Sequence, residues 1–256
     1  MLGKSASVLF MACALASLGL VLPHDTDGPH PDRRAHAGDT SKTAIIEGTV
    51  LLPPRQNDRR RFRGRAYRQR TNRGTPSAAT TQRSDPENRY RNVIISAHPL
   101  SNDPGVEPLA EPATIDQEDA SFVPQVTAVT VGTTVEFVNS DPFYHNVFSL
   151  TPGARFNIGR RPTGVVVPET IPAIDKPAPG LGIVELHCDI HPQMNAFIVS
   201  LETPHFSRAH ADGTYRLENL PPGRYRIHAF MPRQDLVSFT VDLRDGQRAS
   251  RRIDLR

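Results

Sequence analysis

Short runs in which apolar and polar positions alternate recur along the chain, and most end at Gly, Pro, Asn or Asp. A period of two marks strands with one buried face, and such punctuation marks turns. Strands are expected at residues 43–52, 92–98, 122–131 and 133–139. Val135 and Phe137 share one face of the last, and Gly132 turns the third run back onto the fourth as a hairpin. Residues 182–201 give two more apolar strands around a tight loop. Residues 212–230 give two strands joined by Pro221, Pro222 and Gly223, with Tyr225, Ile227 and Ala229 facing inward on the second. Val237, Phe239, Val241 and Leu243 alternate again, and Ile253 and Leu255 close the series. Residues 151–180 hold six prolines, a density that rules out a long helix. That stretch reads as an irregular connection with one strand at 164–167. The expected fold class is all-β.

Four stretches fall outside the pattern. Residues 1–22 carry one Lys and then a mostly apolar run from Ala6, which reads as a secretory leader with a cleavage site at Ala14 to Ala16. At about 17 residues the run is also just long enough to remain as an uncleaved membrane anchor. Residues 23–42 are polar and include His24, His30 and His36; they read as a flexible lead-in, with weak metal collection as the lesser reading. Residues 53–91 have too few apolar side chains to offset their ordering entropy and read as a disordered insertion. Residues 102–119, rich in Pro and acid, read as a linker.

Charge sharpens this division. The segment bounded by Arg55 and Arg73 contains nine Arg and one Asp, a local +8 within a chain of net +3, so the remainder carries −5. With Phe62 and Tyr67 among its arginines, this segment is either a solvated loop or a surface for an acidic redox partner or an anionic membrane. Nucleic acid is not expected as a partner of an exported protein. At 256 residues the chain has room for one or two domains.

The loop within 182–201 carries the chemistry. Cys188, His191 and Met194 place a thiol, an imidazole and a thioether within seven residues, a soft donor set that favours copper over magnesium, calcium or manganese. A trigonal blue-copper site needs a second His. His145 supplies one, just after the strand at 133–139 is broken by Asn139, Ser140, Asp141 and Pro142. Alternation puts Val184, Leu186 and Cys188 on one face and turns His187 away from them. The other cysteine, Cys13, lies in the leader, which leaves one thiol in the mature chain and no internal disulfide. A single thiol also argues against a dinuclear copper centre.

These residues resemble the cupredoxins, the small blue copper proteins, over about residues 114–202, and the 188–194 loop is most similar to the short loop of amicyanins. The resemblance implies His145, Cys188 and His191 as strong in-plane copper ligands and Met194 as a weak axial one. It also implies that the backbone N–H of Asn146 hydrogen-bonds the Cys188 sulfur. Residues 204–256 resemble the carboxypeptidase regulatory-like, transthyretin-like sandwich, through the Asp212-Gly-Thr-Tyr phrase and the run from Leu220 to Tyr225. That family usually begins with a strand like Gly48-Thr49-Val50. A Greek-key cupredoxin sandwich at 111–203 is therefore expected to interrupt a second, discontinuous small β-sandwich built from 43–110 and 204–256. The combination is similar to exported bacterial proteins labelled methylamine-utilisation-like.

The function expected is that of an exported, periplasmic type 1 copper protein with one copper ion, passing single electrons to or from a redox partner. With four protein ligands on the metal no position is left open for a substrate, so catalysis is not expected. His-x-His pairs of the kind multicopper oxidases carry do not occur. Two other readings stand beside it. One is a copper-binding or trafficking protein; the other is a metal-free β-sandwich adaptor in which Cys188 is a buried apolar residue. His205, His210 and His228 are expected at the surface or in the core rather than on a metal.

Overall fold

The alternating runs become strands, and the strands form four sheets stacked in layers. A computed structural model describes residues 42–54, 89–101 and 105–256. The leader, the lead-in up to residue 41 and the Arg-rich segment from Arg55 to Arg73 lie outside the described residues. No helix among the described residues is long and apolar enough to cross a membrane.

The first sheet orders β14 (Thr214–Leu220), β1 (Ala44–Leu51) and β17 (Arg248–Asp254). The second orders β13 (Phe206–Arg208), β2 (Ile94–Pro99), β15 (Gly223–Phe230) and β16 (Val237–Leu243). Each thus mixes strands from before and after the middle of the chain, and the second sandwich is discontinuous. Between these sheets lies a core containing Ile46 and Val50 of β1, Ile95 and Ala97 of β2, Tyr215 and Leu217 of β14, and Tyr225, Ile227 and Ala229 of β15. Gly48 permits the parallel pairing of β1 with β17: a Cβ there would stand 1.7 Å from the Arg251 carbonyl oxygen, so no other residue fits. The Pro221-Pro222 turn does not make a hairpin of β14 and β15. It carries the chain from the first sheet to the second.

The third sheet orders β5 (Val126–Thr130), β12 (Asn195–Leu201), β11 (Leu181–His187), β7 (Phe148–Ser149) and β8 (Phe156–Asn157), with β10 (Pro177–Ala178) beside β11. The fourth orders β4 (Ser121–Val123), β3 (Ala113–Glu118), β6 (Thr134–Asn139) and β9 (Val166–Thr170). Ile115, Phe122, Val135, Phe137, Val184, Leu186, Cys188, Met194, Ala196 and Ile198 share the core between them.

Alternation also explains how the two sandwiches join. In β12, Ala196 and Ile198 face the core with Cys188, while Val199 and Leu201 face the other way. There they meet Ile94 of β2 and Phe230 of β15, with Val126 and Leu181 completing the layer. The sheet holding β2 is therefore buried on both faces, and five consecutive residues of β2, Ile94 to His98, are buried. Each fully buried aliphatic or Phe side chain here stabilises by roughly 1.5–3 kcal/mol. Arg208 adds a polar tie across the layer, donating from Nη2 to the Val126 carbonyl at 2.7 Å.

Three local expectations are corrected. The run 122–131 is not one strand: Pro124 has no N–H to give a ladder, and the chain changes sheet there, from β4 to β5. Nor do β5 and β6 form a hairpin about Gly132. β5 pairs in parallel with β12, and β6 pairs with β3 and β9, so Gly132, at φ +82°, turns the chain between layers. The linker reading of 102–119 fails at its end, where β3 lies in the fourth sheet with only Ile115 and Gln117 buried. Two inward positions, one of them Gln, give too weak an apolar signal to read. The strand expected at 164–167 begins at Val166, and short β8 and β10 strands flank it within the proline-rich connection.

Candidate metal centre

Two strand ends and one loop build the site. β11 delivers Cys188 at its C-terminal end, and the turn that follows is closed by the Met194 N–H donating to the His191 carbonyl at 2.9 Å. β6 ends at Asn139, and the next residues fold back under side-chain control. The Asn139 amide donates from Nδ2 to the carbonyls of Phe143 at 2.8 Å and Arg161 at 2.9 Å, while its Oδ1 accepts the Asp141 N–H at 3.0 Å. His145 is then fixed by a two-way backbone bridge with Arg161.

The result is a convergence of three donor atoms. His145 Nδ1 and His191 Nδ1 are 3.0 Å apart, and the Cys188 sulfur lies 4.0 Å from the first and 3.9 Å from the second. The point equidistant from all three, the centre of the circle through that triangle, is about 2.1 Å from each, close to the ~2.0–2.1 Å of a metal–imidazole bond and the ~2.3 Å of a zinc–thiolate bond. These three residues would therefore hold a transition metal at ordinary bonding distances. His145, Cys188 and Met194 are 0%, 3% and 1% exposed, and His191 is half-buried. Met194 packs in the same core as Cys188.

Asp141 completes the arrangement, a role that its place in a broken strand end does not reveal. Its Oδ2 is 2.7 Å from His145 Nε2, and both side chains are buried. The N–H groups of Asp119 and Ala120 donate to the same carboxylate, each at 2.9 Å. Burial raises the Asp141 carboxyl pKa, but the Ala120 N–H, His145 and the Asp119 N–H together pull it below the ordinary value. Ionised, the group can only accept, so His145 donates to it from Nε2, and the ring's Nδ1 is the nitrogen turned to the centre. Burial, then the neighbouring His145, lower the His191 pKa against the opposing pull of Asp141, which favours the neutral ring that a metal needs.

The structure thus brings His145, Cys188 and His191 together and buries Met194 in the core beside them. Asn146 is placed beside the loop by a bond of its own. The contact it makes is through its side chain, with Oδ1 accepting the Asp189 N–H at 2.8 Å, which ties the start of the Cys188–Met194 loop to the His145 segment. His187 points away, over Phe148 with ring centroids 5.5 Å apart and toward Glu185 at 3.8 Å.

No protein-family profile and no curated protein sequence matches the chain. Solved structures similar to part of it are cupredoxins. A Cu-containing nitrite reductase from Thermus scotoductus SA-01 is 28% identical with a TM-score of 0.32, over 41% of this chain and 26% of that one. The chain therefore spans only about a quarter of that enzyme. A purple cupredoxin from Nitrosopumilus maritimus is 21% identical with a TM-score of 0.29, over 34% of this chain and 98% of that one. An amicyanin variant in its Cu(I) form is 19% identical with a TM-score of 0.31, over 41% and 98%. At such scores these likenesses carry no weight for the function, and the donor geometry does.

Proposed function

We propose that this chain is an exported one-electron carrier in which His145, Cys188 and His191, with Met194 beside them, would hold one type 1 copper ion. The observation that carries the reading is the three-atom triangle, whose centre stands at bonding distance from two imidazole nitrogens and a thiol sulfur. Copper there supplies a one-electron couple between Cu(I) and Cu(II). The protein's part is to keep the donors still and dry. Asp141 and the Arg161 bridge fix the His145 ring, Asn146 fixes the loop, and the core around Cys188 and Met194 excludes water. Little rearrangement then accompanies a change of charge.

Electron exchange rather than catalysis is supported by access. His191 is the donor residue that reaches the surface, and exposed apolar side chains surround its loop. Phe143, 42% exposed, sets its ring edge-on to His145 at 5.0 Å and to His191 at 5.4 Å. Tyr144 is 56% exposed, and Pro142 and Pro192 are exposed as well. A redox partner docked on this patch would sit against the imidazole edge. The second sandwich, which we infer to be a regulatory-like module interrupted by the copper module, serves as a scaffold fastened through the Phe230–Leu201 layer. A periplasmic location rests on the leader alone.

Voltammetry of the copper-loaded full chain tests the carrier reading. A reversible one-electron wave, absent from Cys188→Ser, is expected. An irreversible wave with rapid loss of copper to a chelator would contradict it and favour trafficking.

A further inference from the structure

A cleft of about 710 Å³ opens between the two sandwiches, far from the metal centre. Gly180 and Glu202 line it, at the start of β11 and just past the end of β12, together with Val131, His98, Arg226 and His228. Cys188 lies beyond the opposite end of β11, a strand of seven residues spanning roughly 20 Å. The volume suits an organic molecule rather than a lone ion.

The cleft has a built floor. His98 and His228 are 8% and 2% exposed, and their ring centroids are 5.0 Å apart. His98 Nε2 meets Ser96 Oγ at 2.9 Å, and His228 Nδ1 meets Ser238 Oγ at 2.6 Å. The remaining nitrogens are left over. His228 Nε2 is buried without a hydrogen-bond partner, which is uncommon in folded proteins. His98 Nδ1 is kept open by Gly180, where a Cβ would stand 3.0 Å from it. Burial and the neighbouring His228 push His98 down to about 4, and burial with the charge of Arg226 lowers His228. A neutral ring that accepts a serine O–H on one nitrogen presents an N–H donor on the other. Arg226 stands directly across the β2–β15 pair from His98, so their Cβ atoms are about 5 Å apart on one face. Arg226 and Glu202 are both exposed, and neither is paired with an opposite charge among the described residues.

We propose that this cleft binds a small organic monocarboxylate, its carboxylate on Arg226 and His98 and its apolar body along Val131, with Glu202 turning away a second negative charge. Guanidinium–carboxylate pairs are among the stronger hydrogen-bonded contacts, and a fixed imidazole beside one adds direction. The proposal stands apart from the copper reading, since no residue is shared.

Calorimetric titration of the full chain with benzoate, phthalate and benzyl alcohol tests it. Benzoate is expected to bind saturably and at least about tenfold more tightly than the dianion or the neutral alcohol. Arg226→Gln, a change at an exposed side chain, is expected to weaken benzoate by about tenfold or more. Cys188→Ser is expected to leave benzoate binding unchanged while removing copper, so that failure of one reading is separable from failure of the other. Equal affinity for the three probes, no saturable benzoate binding, or indifference to Arg226→Gln would overturn the proposal. So would a copper ion held by Cys188→Ser and released by His98→Gln, which would make the pair a metal site.

Discussion

The rings of His145 and His191 lie 4.7 Å apart at 60°, and those of His98 and His228 lie 5.0 Å apart at 68°. The poses are nearly the same, yet the surroundings differ. In the first pair both Nδ1 atoms converge, a thiol closes the triangle, and a buried carboxylate holds the far nitrogen of His145. In the second pair the far nitrogens rest on serine hydroxyls, no thiol among the described residues is near, and an arginine stands alongside. The lesson is that ring placement alone does not define a metal site. What each imidazole's other nitrogen meets, and the charge beside it, decides whether the pair offers lone pairs to a cation or N–H groups to an anion.

The largest effect that sharpens this comparison is on stability. The folded pKa of His98 is near 4 against an ordinary value of 6.5, so folding favours its neutral form. Its contribution is fully present above the unfolded pKa and is lost as pH falls from about 6.5 toward 4, because the unfolded chain takes up the proton first. Between about pH 7 and 4.5 the full chain is expected to lose roughly 2–3 kcal/mol more than His98→Gln does, read from urea unfolding at each pH. Equal losses in the two proteins would show that the folded chain does not hold His98 neutral.

A smaller effect is expected at the other pair. Asp141→Asn keeps the shape and the acceptor oxygen but removes the charge behind His145. Copper affinity is expected to fall by about 10–100-fold, the range typical when the partner of a ligating histidine is changed. Competition with a chelator of known affinity reads it. Unchanged affinity would reduce Asp141 to a loop brace.

These pairs also mark how far the sequence could be read. Cys188, His191 and Met194 were visible because one short loop holds all three donor types, and His145 because a strand visibly stops before it. The inward faces of β11 and β15 were visible through alternation, in Val184, Leu186 and Cys188 and in Tyr225, Ile227 and Ala229. Asp141 was not, since Asn-Ser-Asp-Pro looks the same whether it merely ends a strand or delivers a carboxylate to a histidine. The break at Pro124 was masked by the apolar residues on both sides of it. β3 was hidden because one of its two buried residues is Gln117, which faces inward to reach the Val138 carbonyl at 2.9 Å. His98 and His228 lie on strands far apart in the chain, and only the β2–β15 register makes them neighbours.

The visible absorption spectrum of the full chain after addition of one equivalent of Cu(II) tests the metal centre most directly. An intense thiolate-to-copper charge-transfer band is expected, present in His98→Gln and absent from Cys188→Ser. A colourless or only weakly blue product under oxidising conditions would contradict the convergence of His145, Cys188 and His191 on one copper ion.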